Sequence, residues 1–135
     1  MKKLLAFLLL ATIVMVGFNA CKKYEDGPYL SLRSKHNRVV NEWKLNKATN
    51  EGIDVTSQFQ EYYFTFNDDN TYTYNRKLVK ETGTWDFDDD KLNIVLTPAG
   101  SSTTESYKII RLKNDELTLD QTVGSQTTRY YYVTK

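Results

Sequence analysis

The chain has 135 residues, with 18 Lys and Arg against 17 Asp and Glu and a formal charge of +1. That balance supplies no basic field for nucleic acid, and the length suits one domain with a modest core and no second domain. A single cysteine rules out an internal disulfide, and one histidine without a cysteine cluster gives no ligand set for a transition metal.

The N-terminus opens with Met1, Lys2 and Lys3, a short cationic region, and continues as an apolar run from Leu4 to Phe18 broken only by Thr12 and Gly17. This is the layout of a secretory signal peptide, and the run is shorter than the ~20 residues a helix needs to span a bilayer core. Cys21, read on its own, is a small buried hydrophobe, an unpaired thiol in an oxidising compartment, or a lipidation site. The stretch Gly17-Phe18-Asn19-Ala20-Cys21 resembles the lipobox of bacterial lipoproteins. That resemblance implies removal of residues 1–20, a lipid on Cys21 and a place in the cell envelope, at the outer membrane, on its periplasmic or surface face. Loss of Lys2 and Lys3 leaves a formal charge of −1 on the remaining chain.

Residues 21–29 contain Lys22-Lys23-Tyr24-Glu25-Asp26 and the breaker pair Gly27-Pro28, and read as a lipidated tether. The charged run is either a plain solvated linker or, by resemblance, the post-cysteine segment that directs lipoproteins of Bacteroidetes-type bacteria to the cell surface. Residues 30–135 then form the domain. Within it, Ser31 to Asn41 places Leu32, Val39 and Val40 near one face at helical spacing among Arg33, Lys35, His36 and Arg38, which predicts a short helix lying over one end of the strand region.

From Glu42 onward the period is two, and eight strands are predicted. Trp43 to Thr49 sets Trp43, Leu45 and Lys47 on one side and is followed by a loop from Asn50 to Gln58. Gln60 to Phe66 turns Tyr62, Phe64 and Phe66 to one face, and Asn67-Asp68-Asp69-Asn70 supplies a turn. Thr71 to Lys77 carries Tyr72 and Tyr74; Thr82 to Asp88 carries Gly83, Trp85 and Phe87; Lys91 to Thr97 carries Leu92, Ile94 and Leu96. Thr104 to Lys113 carries Tyr107 and Ile109, and its phase slips at Ile110-Arg111-Leu112, the mark of a bulge. Leu117 and Leu119 lie on the seventh strand, and Thr127 to Thr134 is the eighth, where Tyr130-Tyr131-Tyr132 hides the alternation.

Short strands joined by tight turns imply an antiparallel meander. Closing the first strand on the last removes both open edges, so the predicted fold is all-β, an eight-stranded up-and-down barrel, with a flattened sandwich as the alternative. The short helix, the Trp at the start of the first strand, the stretch Phe66-Asn67-Asp68-Asp69-Asn70-Thr71-Tyr72 and Gly83-Thr84-Trp85 together resemble the small lipocalin-like lipoproteins of Bacteroidetes over residues 29 to 135. The resemblance implies that Trp43 closes the barrel floor and that Arg129, on the last strand, packs over it.

An eight-stranded barrel is wide enough to be filled by its own side chains or to hold one small ligand, and both readings stand at this point. Strands of seven residues tilted by ~40° make a barrel only about 18 Å tall, into which many large aromatic side chains point. A phenol at a pocket mouth can offer a hydrogen bond to a ligand, which makes Tyr62, Tyr72, Tyr74 and Tyr107 the ligand-binding candidates.

Catalysis finds little support: His36 sits among Arg and Lys without a nucleophile motif, and no cofactor is implied. The acidic runs Asp68-Asp69 and Asp86 to Asp90 lack the pattern of a calcium loop and read as hairpin turns. Two functions remain. One is a monomeric lipid-anchored module that binds a small apolar or aromatic molecule. The other is a protein-binding envelope lipoprotein, such as a hydrolase inhibitor or an accessory subunit of a surface complex, acting through loops 50–58 and 98–103. The anchor is checked directly: Cys21→Ser releases the protein from the membrane fraction and abolishes labelling by a radioactive fatty acid.

Overall fold

The computed structural model describes residues 32–135, and the signal segment, Cys21 and the tether lie outside them. Helix α1, Lys35–Val39, is shorter than the predicted span. Ser34 caps it, its hydroxyl accepting the Asn37 N–H at 3.1 Å, and at Val40 the chain turns extended into the first strand. The helix buries Arg38 and Val39 against the barrel end, which is the capping role its apolar positions imply.

The strands are β1 (Asn41–Asn50), β2 (Ile53–Asp54), β3 (Tyr62–Phe66), β4 (Thr71–Arg76), β5 (Val79–Phe87), β6 (Asn93–Pro98), β7 (Glu105–Leu112), β8 (Glu116–Val123) and β9 (Gln126–Thr134). All pairings are antiparallel; apart from the spur β2 they join neighbours along the chain, and β1 closes on β9 from Trp43↔Thr134 to Asn50↔Thr128. The result is a closed eight-stranded barrel, as expected, with β2 an extra two-residue strand on β1.

Two irregularities set which side chains enter. A bulge between Leu45 and Lys47 shifts the phase of β1, so Ala48 faces the core and Lys47 turns out over the Tyr131 ring. The strict alternation that placed Lys47 beside Trp43 and Leu45 fails there. The bulge in β7 falls between Ile109 and Arg111, where the sequence phase slips, and it lets Ile109 and Ile110 both be buried.

The segment between β1 and β3 is not a plain loop. β3 pairs with β1 only over Asn41 to Lys44, so the second half of β1 would have an open flank. A 3-10 turn, Thr56–Phe59, fills it: the Thr56 hydroxyl accepts the Ala48 N–H at 3.0 Å, and the Val55 N–H reaches the Ala48 carbonyl at 2.9 Å.

Inside, Phe64 stacks on Tyr74 at 3.8 Å between ring centres and on Phe66 at 5.1 Å, and meets Tyr132 edge-on. Phe66, Trp85 and Phe87 continue the edge-to-face chain toward the helix end. Gly83 is required where it stands, because a Cβ there would collide with the Thr97 carbonyl and the Tyr72 ring. Among the described residues the buried core runs from Val39 to Tyr132.

Trp43 closes the helix end: it is fully buried and its Nε1–H donates to the Val39 carbonyl at 2.8 Å. The barrel-floor expectation for Arg129 is corrected. Arg129 pairs across from Thr49, six residues along β1 from Trp43, and forks onto Asp120 with bonds of 2.7 and 2.8 Å. The buried cation at the helix end is Arg38, whose Nη1 donates to the Leu112 carbonyl at 2.8 Å. Trp43→Ala is expected to cost about 3 to 5 kcal/mol in urea unfolding, from lost burial and the cavity left behind. Lys47→Ala, on the bulge, stays within about 0.5 kcal/mol.

Candidate functional site

Period two carries each inward row from the aromatic floor to the open end. On β4 the row Tyr72, Tyr74 ends in Arg76; on β5 the row Trp85, Gly83 ends in Glu81; on β7 Tyr107 is followed outward by Glu105; on β8 Leu119 is followed by Gln121. In these four rows the apolar rungs give way to Arg76, Glu81, Glu105 and Gln121 near the open end.

These groups are joined. The Tyr72 hydroxyl donates to Glu81 Oε1 at 2.8 Å, and the Tyr107 hydroxyl to Glu105 Oε2 at 2.8 Å. Arg76 lies between the two carboxylates, 3.4 Å from Glu81 and 4.0 Å from Glu105, with its guanidinium 4.4 Å above the Tyr74 ring. Gln121 bridges Glu105 at 3.5 Å and the Tyr130 hydroxyl at 3.4 Å. The loose distances and the buried, unpartnered Nε of Arg76 mark an under-bonded cluster. The Tyr132 hydroxyl, deeper in the barrel, approaches that of Tyr74 without forming a well-shaped hydrogen bond.

Phe59, from the 3-10 turn, forms one wall of the mouth. It meets Tyr62 and Tyr130 edge-on at 5.3 and 5.4 Å, and Tyr62 in turn meets Tyr74 at 5.8 Å. Beside Phe59 a concavity of about 240 Å³ is lined by Asn50, Ile53, Val55, Gln126 and Thr128. A wider one of about 580 Å³ lies on the outer wall between Tyr63, Thr65, Thr73 and Asn75. It is a saucer of outward polar side chains on a twisted sheet, and no inward aromatic reaches it.

The four predicted ligand contacts are brought together, but not equally. Tyr72, Tyr74 and Tyr107 are core residues, and only Tyr62 is half-exposed at the mouth. Arg76, Glu81, Glu105, Gln121 and Phe59 were not singled out from sequence. The first four were within reach of it, since each extends by two residues an aromatic or apolar row already assigned to the interior. Phe59 was not, because its place depends on how far β1 and β3 diverge. His36 stacks on Trp85 at 5.1 Å and lies 3.5 Å from Asp68.

A small antiparallel barrel with a Trp-sealed, helix-covered floor and a polar mouth defines a lipocalin-like module. Residues 39–119 match the family described as the lipocalin-like domain, and the chain belongs to it. No curated protein matches the chain.

Burial pushes the phenols of Tyr72, Tyr74 and Tyr107 well above their ordinary value of 10, and the Glu81 and Glu105 carboxylates add to this for Tyr72 and Tyr107. Folded-state values raised above the unfolded ones contribute stability that is fully present below about pH 10 and is lost as pH rises beyond it. The melting temperature is therefore expected to hold to about pH 9 and to fall above about pH 10, with the buried phenolates appearing in absorbance only as the chain unfolds. Ionisation of Tyr74 and Tyr107 in a folded barrel near their ordinary value contradicts this.

Proposed function

We propose that this protein is a lipid-anchored envelope lipoprotein of the Bacteroidetes type, whose barrel binds a small ligand at its open end. Residues 1–20 are removed, Cys21 carries the lipid, and the residues after it tether the barrel to the membrane. The protein acts as a monomeric binder and not as an enzyme, needing no cofactor. One observation carries the binding reading: the inward polar side chains gather at the mouth, in an under-bonded cluster above an aromatic floor.

That floor limits the ligand. The interlocked rings of Phe64, Phe66, Tyr74 and Trp85 leave the lower barrel filled, so a long apolar guest has nowhere to extend. The concavity of about 240 Å³ beside Phe59, at the same end of the barrel but lined by none of the cluster residues, suits a compact apolar or aromatic body, with polar atoms toward Asn50, Gln126 and Thr128.

The same filled interior favours a second reading, capture of an envelope protein by the mouth loops 50–58 and 98–103. A neutral fluorescent probe, N-phenyl-1-naphthylamine, separates the two. The first reading expects binding near 1:1 and a rise in melting temperature with probe concentration. It also expects binding to be abolished by Thr128→Phe, which fills the cavity, and kept by Thr84→Ser on the outer wall. A barrel that binds no probe, yet loses an envelope partner on charge reversal within 50–58, points to the second.

A further inference from the structure

Two arginines on the barrel are held in different ways. Arg129 forks onto Asp120 with bonds of 2.7 and 2.8 Å, the spacing of a charge-assisted pair. Arg76 stands 3.4 Å from Glu81 and 4.0 Å from Glu105, and its buried Nε has no partner. Yet the surroundings of Arg76 suit a cation. The Tyr74 ring lies 4.4 Å from the guanidinium, and Tyr62, opposite Arg76 across the β3–β4 pair, meets Tyr74 edge-on at 5.8 Å. The face of a phenol ring attracts a positive charge, more so where water is excluded. Below them Tyr132 is only 2% exposed, and its hydroxyl, beside that of Tyr74, makes no well-shaped hydrogen bond, so it can accept from a donor that reaches past the guanidinium. At this level of the inward rows two carboxylates face one guanidinium, a net charge of −1, while Lys77 and Lys80 line the concavity on the outer wall.

We propose that Arg76 stands in for the ligand: the mouth is a site for an organic cation, an amidinium, guanidinium or ammonium group on a compact apolar or aromatic body, and Arg76 turns out when that cation enters. This rests on the reading of the open end as a ligand site and names the charge of what it takes. Arg76 is the last residue of β4, beside the fully exposed Leu78, so its side chain can rotate into solvent without breaking the strand ladder, and there the guanidinium regains its water. It gives up only the loose contacts to Glu81 and Glu105 and the face of Tyr74. With Arg76 turned out, both carboxylates are left to the incoming cation. An anion would have to settle against those same two carboxylates, which excludes it. Phe59 links this site to the concavity of about 240 Å³, because it lines the concavity and meets Tyr62 and Tyr130 edge-on. A ligand body lying beside Phe59 can therefore bring a charged head to Tyr62 and the two glutamates.

The test titrates the full chain by calorimetry with benzamidine, benzamide and benzoate, three molecules of nearly one shape that differ in charge. Benzamidine is expected to bind near 1:1 and to raise the melting temperature with its concentration. Benzamide and benzoate are expected to bind at least roughly tenfold more weakly, the scale of one hydrogen bond to a charged group. Glu81→Gln with Glu105→Gln should remove the preference for the cation, and Arg76→Met, which takes away the resident guanidinium, should tighten benzamidine binding. The three ligands on the unaltered chain decide the charge class even where a variant loses its fold. Equal binding of the three, a preference for benzoate, or loss of benzamidine binding in a folded Arg76→Met barrel overturns the inference. N-phenyl-1-naphthylamine is read in parallel: if this neutral probe binds and benzamidine does not, the ligand site stands and its cationic class falls, whereas if neither binds, both fall.

Discussion

Closure of β1 onto β9 is the constraint that shapes every other part of the molecule. An open meander of these strands would leave two rows of unpaired backbone groups and one exposed face of aromatic side chains. Pairing from Trp43↔Thr134 to Asn50↔Thr128 removes both edges and turns every inward row toward one axis. The pairing has a local cost in regularity. β1 must serve β3 along its first half and β9 along nearly its whole length, so it bulges at Leu45/Lys47, and the flank it leaves is covered by β2 and the Thr56–Phe59 turn. The wall of the mouth is therefore a by-product of how the barrel closes.

The size of the inward side chains then decides what the barrel can do. With eight strands there is room for packed side chains or for one small guest, and Phe64, Tyr74, Phe66, Trp85 and Tyr132 occupy the lower space. On the proposed function, binding is left to the open end, where these rows change from aromatic to polar. There Glu81 and Glu105 accept from the hydroxyls of Tyr72 and Tyr107 and flank Arg76, so the phenols support the cluster. A floor sealed by Trp43 and Arg38 and a mouth of loosely bonded charges give the barrel a fixed polarity.

Much of this was legible in the chain itself. The period of two after Glu42 and the turn residues at regular spacing determined an all-β meander, because alternation and turn chemistry are local properties; closure was favoured over a flattened sandwich by its open edges, and the closed end at Trp43 came from the family resemblance. The slip at Ile110-Arg111-Leu112 also marked the β7 bulge, since an extra residue there leaves a visible trace in the apolar pattern. The bulge in β1 left none: Asn46 and Lys47 are both polar, and nothing in their order says which of Lys47 or Ala48 faces inward.

What the sequence by itself determined is the alternation, the barrel and the identity of the aromatic rows. Only the tertiary structure decided the places of Arg129 and Phe59 and the meeting of Arg76 with the two glutamates. Arg129 lies far from Trp43 because the β1–β9 register sets it against Thr49 and within reach of Asp120. The Arg76, Glu81 and Glu105 cluster exists because three strands bring positions 76, 81 and 105 to one level of the barrel. Register between strands is fixed by how the whole sheet twists and closes, and no short stretch of the chain carries that information.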